Sequence, residues 1–232
     1  MKPGQKFRNA LKNNKPLIIP GTINAYSAKL AELANHNSIY LSGSGVAAAS
    51  YGLPDLGVTT LENVLIDAKR ITSATSLPLL VDIDTGWGDF DAISNTIIEM
   101  GNANVAAVHI EDQIFDKRCG HRPNKQLVSI DEMQDRLKAA LDAKIDDSFF
   151  IMARTDALAS EGIEKAIERC GKYLDVGADG IFFEAAVSIE EYKEFKNNFS
   201  APLLANITEF GKTPLFTQKE LSDVGVDMVL YP

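Results

Sequence analysis

Cysteine is scarce: Cys119 and Cys170 are the only two in 232 residues. That is too few for a disulfide scaffold and points to a reducing compartment. Basic charge is also in deficit. Lys and Arg total 23 against 32 Asp and Glu, a net charge of −9, so a cationic face for nucleic acid is not expected. No apolar run approaches the roughly 18 residues that span a membrane. Met1 to Lys15 is polar and cationic with no apolar h-region, so no signal peptide is read. These absences predict a cytoplasmic protein with neither a nucleic-acid nor a membrane partner. Pro/Gly/Ser-rich linkers and low-complexity tracts are missing too, which predicts one domain over residues 1–232. Disorder is excluded, because 45% of the chain is hydrophobic and supplies a core.

What is present is a rhythm of short apolar runs separated by helical patterns. The runs are Leu17–Ile23, Ser38–Leu41, Pro78–Ile83, Val105–Ile110, Phe149–Ala153, Gly180–Phe183, Pro202–Ile207 and Val226–Tyr231. Several are continuous rather than alternating, as in parallel strands buried on both faces. Capping boxes are read at Thr59–Glu62, Ser129–Glu132, Ser188–Glu191 and Thr217–Glu220, and Gly177 and Gly225 read as helix stops. Alternating strands and helices imply right-handed crossovers in a parallel sheet. Eight such runs favour an α/β fold of the (β/α)8 TIM type over an open sheet, in a chain slightly shorter than the roughly 250 residues usual for that barrel.

In either parallel architecture, ligands bind at the carboxyl ends of the strands. Six consecutive runs turn polar at that end: Tyr40-Leu41-Ser42-Gly43-Ser44, Asp82-Ile83-Asp84, His109-Ile110-Glu111-Asp112, Arg154-Thr155-Asp156, Glu184, and Asn206-Ile207-Thr208. Buried polar groups need partners, so the repetition points to one active site. Asp82 and Asp84, two apart, are read as sharing a strand face. Two close carboxylates need a cation or protons, and oxygen ligands suit Mg²⁺ or Mn²⁺. Glu111 and Glu184 sit at neighbouring strand ends, and His109 is read as a hydrogen-bonded neighbour of the metal, not a ligand. The alternative is that the aspartates cap a loop or pair with Arg154. Ser42-Gly43-Ser44-Gly45 lets backbone amides approach an anion. It also matches a dinucleotide fingerprint weakly, and a plain turn is the bland alternative. In Lys117-Arg118-Cys119-Gly120-His121-Arg122, neighbouring cations are expected to favour the Cys119 thiolate. The loop Gln113–Val128 around it is expected to act as a mobile lid.

That basic Cys-Gly-His loop resembles the signature of the isocitrate lyase/phosphoenolpyruvate mutase superfamily. The likeness extends over essentially the whole chain, through Tyr40–Gly43, Gly52–Gly57, Val81–Asp84, His109–Gln113, Met152–Asp156 and Asn206–Gly211. Within the superfamily, Asn206–Gly211 with Thr213–Thr217 is similar to the lyases that cleave 2-methylisocitrate. The resemblance implies a β/α barrel and a homotetramer exchanging a C-terminal helix. It implies Mg²⁺ (Mn²⁺ possible) on Asp82 and Asp84, with Asp55, Glu111 and His109 around them. It implies substrate contacts from Ser42, Gly43, Ser44, Cys119, Gly120, Arg154, Glu184, Asn206, Ile207 and Thr208. Cys119 becomes the expected acid and Tyr40 the expected base.

The implied reaction is retro-aldol cleavage of a small tricarboxylate, 2-methylisocitrate, to pyruvate and succinate, as in the methylcitrate cycle of propionate catabolism. Isocitrate lyase is the nearest alternative, since one methyl group is worth only about 1–3 kcal/mol of discrimination. Another superfamily activity on a 2-oxo or 2-hydroxy acid lies further off. A non-catalytic barrel is opposed by intact Asp82, Asp84, Cys119 and Arg154. Two departures leave loop geometry open: Ser44 stands where Gly is expected, and Gly86–Phe90 reads one residue short. The family's eighth helix, exchanged helix and last substrate arginines lie after the eighth strand, and are expected from a longer chain than the one ending at Pro232.

Overall fold

Period-two alternation and helix caps account for most of the architecture. The computed structural model describes residues 1–232. The strands are β1 (Leu17–Pro20), β2 (Ile39–Leu41), β3 (Leu79–Asp82), β4 (Ala107–Glu111), β5 (Phe150–Thr155), β6 (Gly180–Phe183), β7 (Leu203–Asn206) and β8 (Met228–Tyr231). Helix α1 (Pro3–Asn13) precedes them. Between them lie α2 (Ala25–Leu33), α3 (Gly43–Gly45, running into a π-helical turn at Val46–Ser50), α4 (Leu61–Ala74), α5 (Phe90–Asn102), α6 (Ile130–Asp142), α7 (Leu158–Glu161), α8 (Ile163–Val176), α9 (Ile189–Asn198) and α10 (Gln218–Asp223). The eight strands form one sheet in the order β1-β8-β7-β6-β5-β4-β3-β2, and the pairs are parallel. A bridge between Gly21 and Tyr40 brings the two edges together, with the Thr22 amide donating to the Tyr40 carbonyl at 2.7 Å. The expected barrel therefore forms. No helix is long and apolar enough to cross a membrane.

Local chemistry sets the helix starts. Ser188 and Thr217 make the expected reciprocal caps with Glu191 and Glu220. Two other caps differ from the sequence reading. At α4 the cap is Thr60, one residue later than read, and its partner is Asn63 instead of Glu62. At α6 Ser129 accepts from the Glu132 amide, but the Glu132 carboxylate turns away to Arg136 at 2.7 Å. An ion pair one turn along outcompetes the amide. Gly177 and Gly225 take the left-handed backbone expected of helix stops.

One apolar cluster fills the shell between strands and helices. A second fills the barrel, with Leu17, Leu80, Ala107, Phe150, Met152, Phe182, Leu204 and Met228, and α1 plugs its lower end with Phe7, Ala10 and Leu11. Strand alternation carries these inward positions upward. They rise from Leu80 to Asp82, from Ala107 through His109 to Glu111, from Phe150 through Met152 to Arg154, from Phe182 to Glu184, and from Leu204 to Asn206. The barrel interior is thus apolar below and ionisable above, which explains why the polar strand ends converge.

Candidate active site

A cavity of about 350 Å³ opens at the carboxyl end of the strands, in the range of small-molecule sites. Of the residues predicted from sequence, Tyr40, Ser42, Ser44, Asp55, Asp82, Cys119, Gly120, Arg154, Glu184, Asn206 and Thr208 line it. Gly43, Asp84, His109 and Glu111 stand directly behind that lining. Ile207 does not reach it; its side chain packs in the outer core and its amide donates to the Leu230 carbonyl at 2.8 Å.

Asp82 and Asp84 come together, though not by strand alternation. Strand β3 ends at Asp82, and Asp84 has left it with φ +48°. This left-handed backbone suits Asp better than most residues. The Asp84 amide donates to Asp82 Oδ1 at 3.0 Å, and the Gly43 amide to Asp82 Oδ2 at 3.2 Å. A Cβ on Gly43 would sit 3.1 Å from Asp82 Oδ2 and 3.2 Å from Asp84 Oδ1, so glycine lets the backbone approach both carboxylates. Instead of a plain turn, Ser42 caps the short helix α3, accepting from the Gly45 amide.

Burial and the neighbouring Asp82 push the Asp84 carboxyl up. Burial also opposes the charge on Asp82, but His109, protonated in the acid range where Asp82 titrates, together with Lys117 and Arg154 outweighs it and holds that carboxyl down. His109 lies beneath, fully buried, with burial depressing its pKa to about 4 against the pull of Asp82. Near neutral pH the imidazole is therefore uncharged, and Lys117 and Arg154 supply the positive charge facing Asp82. The Tyr40 hydroxyl is 3.0 Å from His109 Nε2, while His109 Nδ1 is 3.7 Å from Asp82 Oδ1. Burial and Asp82 push the Tyr40 phenol well above its ordinary value.

Residues Gln113–Val128 fold over the cavity mouth. Lys117 reaches Asp84 Oδ1 at 2.6 Å and Asp55 Oδ1 at 2.7 Å. Its ammonium overcomes burial because Glu111 and the aspartates hold its proton. His121 Nδ1 accepts the Lys212 amide at 3.0 Å, which leaves the proton of the neutral ring on Nε2, 3.1 Å from Glu184 Oε1. Gly120 presses close to Arg154 and Glu184, and a Cβ there would lie 2.5 Å from Arg154 Nη2 and 2.4 Å from Glu184 Oε1. The Cys119 thiol is pushed up, chiefly by burial and against a hydrogen bond from the His121 backbone. This reverses the sequence reading of a thiolate. Asp55 and Glu184 add to the upward shift and outweigh Arg154, which opposes it, while both loop lysines are held elsewhere: Lys117 on aspartates, and Lys125 on Asp156 at 2.8 Å.

Arg154 is held from two sides. Its Nε donates to Asp156 Oδ2 at 3.0 Å, its Nη1 lies 3.3 Å from Glu111 Oε2, and its guanidinium stacks over the Phe182 ring at 5.2 Å. Lys117, His121, Lys125, Asp156 and Phe182 received no separate roles from sequence. Lys117 and His121 were visible inside the basic motif, but chain spacing does not tell which carboxylate each loop residue will meet.

The donor set fits a hard divalent cation. Asp82 and Asp84 offer oxygens alone, already crowded enough to draw in an ammonium, and Glu111 Oε1 is buried without a hydrogen-bond partner. No three His, Cys, Asp or Glu side chains converge on one point, so a cation here would keep much of its shell as water, as small hard cations do.

Comparison with known proteins agrees with this geometry. The sequence pattern described as phosphoenolpyruvate phosphomutase matches residues 7–232. A 2-methylisocitrate lyase of Shewanella oneidensis strain MR-1 is 60% identical over 99% of this chain and 78% of its own length. Among solved structures, a 2,3-dimethylmalate lyase superposes with a TM-score of 0.94 at 34% identity, covering 100% of this chain and 79% of that one. A phosphonopyruvate hydrolase in complex with oxalate and Mg²⁺ superposes with a TM-score of 0.86 at 29% identity, covering 99% and 80%.

Proposed function

The chain belongs to the phosphoenolpyruvate mutase/isocitrate lyase superfamily, on its 2-methylisocitrate lyase branch, and from that premise we propose the following chemistry for the cavity. The protein is a carbon–carbon lyase that cleaves 2-methylisocitrate to pyruvate and succinate. The observation that carries this reading is one cavity joining a buried carboxylate pair, a clamped arginine and a protonated thiol.

The reaction removes a hydroxyl proton, breaks a carbon–carbon bond as a carbonyl forms, and returns a proton to the carbanion-like succinate half. Arg154 holds a substrate carboxylate with donors already fixed by Asp156, as a guanidinium fork suits. Asn206, Thr208 and the Ser42–Ser44 segment shape the rest of the anion pocket. In this reading Tyr40 is the base that faces the hydroxyl proton, its own hydroxyl 3.0 Å from His109 Nε2. Cys119, kept protonated by burial, delivers the proton to succinate. Asp82 and Asp84 would hold the metal, Mg²⁺ in this reading, supplying positive charge beside the developing carbonyl oxygen. Loop 113–128 excludes water from the carbanion. The oligomer is a homotetramer and the compartment cytoplasmic.

The test is a pyruvate- and glyoxylate-detecting assay on 2-methylisocitrate and isocitrate, with and without Mg²⁺. Mg²⁺-dependent pyruvate release is expected. Faster glyoxylate release from isocitrate, or equal rates after chelation, overturns the assignment.

A further inference from the structure

One buried ammonium in the site has no part in the chemistry above. Lys125 lies on the returning limb of the 113–128 loop, with its side chain 2% exposed. Lysine is rarely buried without partners that answer its charge. Here the Nζ donates to the Gly120 carbonyl at 2.6 Å and to Asp156 Oδ1 at 2.8 Å. Asp156 also accepts from Arg154 Nε at 3.0 Å and Nη2 at 3.3 Å. Asp156 rests on a rigid base. Its amide donates to Asp112 Oδ1 at 2.9 Å, and Asp112 Oδ2 accepts the hydroxyls of Thr155 at 2.7 Å and Tyr173 at 2.9 Å.

The loop therefore engages Arg154 twice. Gly120 meets the guanidinium directly, its Cβ position 2.5 Å from Nη2, and Lys125 meets it through the shared Asp156 carboxylate. Burial opposes the Asp156 charge, but Arg154 and Lys125 together hold its pKa down at about 2, so it bridges two cations as an anion. Asp156 thus shares its two oxygens between a loop cation and Arg154.

We propose that Lys125 is a positioning residue, a latch through which closure of the 113–128 loop and the aiming of Arg154 at a substrate carboxylate become one event. The proposal rests on the lyase reading for its kinetic consequence. Its structural consequence is independent of that reading.

The experiment compares wild type, K125M, K125Q and K125R as full chains, by amide hydrogen exchange without substrate and by steady-state turnover of 2-methylisocitrate. In K125M and K125Q, exchange across 117–124 should accelerate at least about tenfold while β4 and β5 stay protected. kcat/KM should fall at least about 30-fold, mainly through KM. K125R keeps charge and donors and should recover to within about fivefold of wild type. Unchanged loop exchange in both neutral variants overturns the latch, as does a loss carried only by kcat. So does K125R failing as badly as K125M with protection lost throughout the barrel, since that is a structural role. If wild type does not cleave 2-methylisocitrate, the lyase reading falls. The exchange comparison still decides the latch: faster 117–124 exchange in the neutral variants but not in K125R upholds it, and equal exchange removes it.

Discussion

Gly120→Ala is the most informative perturbation, because a single methyl probes loop closure and arginine placement together. The new Cβ would lie 2.4 Å from Glu184 Oε1, 2.5 Å from Arg154 Nη2 and 2.6 Å from Glu184 Cγ. Ordinary contact begins near 3.5 Å, so either the loop rises or the pair retreats by about 1 Å. Arg154 and Glu184 have little room to retreat, being pinned by Asp156 at 3.0 Å and by His121 at 3.1 Å. A misplacement of about 1 Å at a reacting centre costs about 10²-fold in rate, equivalent to about 2.7 kcal/mol of transition-state stabilisation. Stability should hardly change. Opening the loop relieves the clash and costs only the loop's own contacts, so Tm should stay within about 2 °C. The assay is kcat/KM for pyruvate release, with thermal unfolding measured in parallel. Turnover within about threefold of wild type would refute the closed-loop geometry. An equally large loss of Tm would show that Gly120 matters to the fold and not to closure.

The same geometry sets four further expectations. Cys119→Ser should keep Tm and metal binding but lose at least about 10²-fold in rate, the scale of a general acid; near-normal turnover removes Cys119 from the mechanism. Because burial raises the thiol pKa, wild-type activity that depends on this acid should fall only on the alkaline side of the ordinary thiol range. Asp84→Asn should weaken Mn²⁺ affinity, measured by titration calorimetry, at least about tenfold, and unchanged affinity places the metal elsewhere. His109 adds a pH dependence to stability. Its folded pKa is depressed to about 4 by burial, whereas an unfolded imidazole titrates near 6.5, so between these values the unfolded chain carries the extra proton. Stability should therefore fall as pH drops through that window, by up to about 3 kcal/mol from this group. Urea midpoints at pH 7.5 and 5.0 should show a smaller difference in His109→Gln, and identical differences in both proteins refute the assignment.

Much of the fold was legible because its signals are local. The apolar runs mark strands buried on both faces, and Ser188 and Thr217 announce their caps through their own third residues. Where two local partners compete, the prediction slips. Thr59 and Thr60 both qualify as caps, and Asn63 decides between them. The site was legible as a set of strand ends, because alternation forces every second residue inward and the chemistry changes there from Leu80, Met152 and Leu204 to Asp82, Arg154 and Asn206. Ile207 fell outside the cavity by the same rule, since it is one residue out of phase with Asn206.

By itself the sequence determined the barrel, the end at which its chemistry gathers, and the residue types that meet there. These follow from periodicity and from the cost of burying unpaired charge. Tertiary structure decided how the charges are shared. It turned Asp84 out of its strand to face Asp82, sent Lys117 to the aspartates, and gave Lys125 to Asp156. It thereby left Cys119 with burial and carboxylates outweighing the pull of Arg154, the opposite of what its neighbours along the chain imply. The physical reason is that pKa depends on distance and burial in space, and a loop that folds back over six strand ends chooses its partners there.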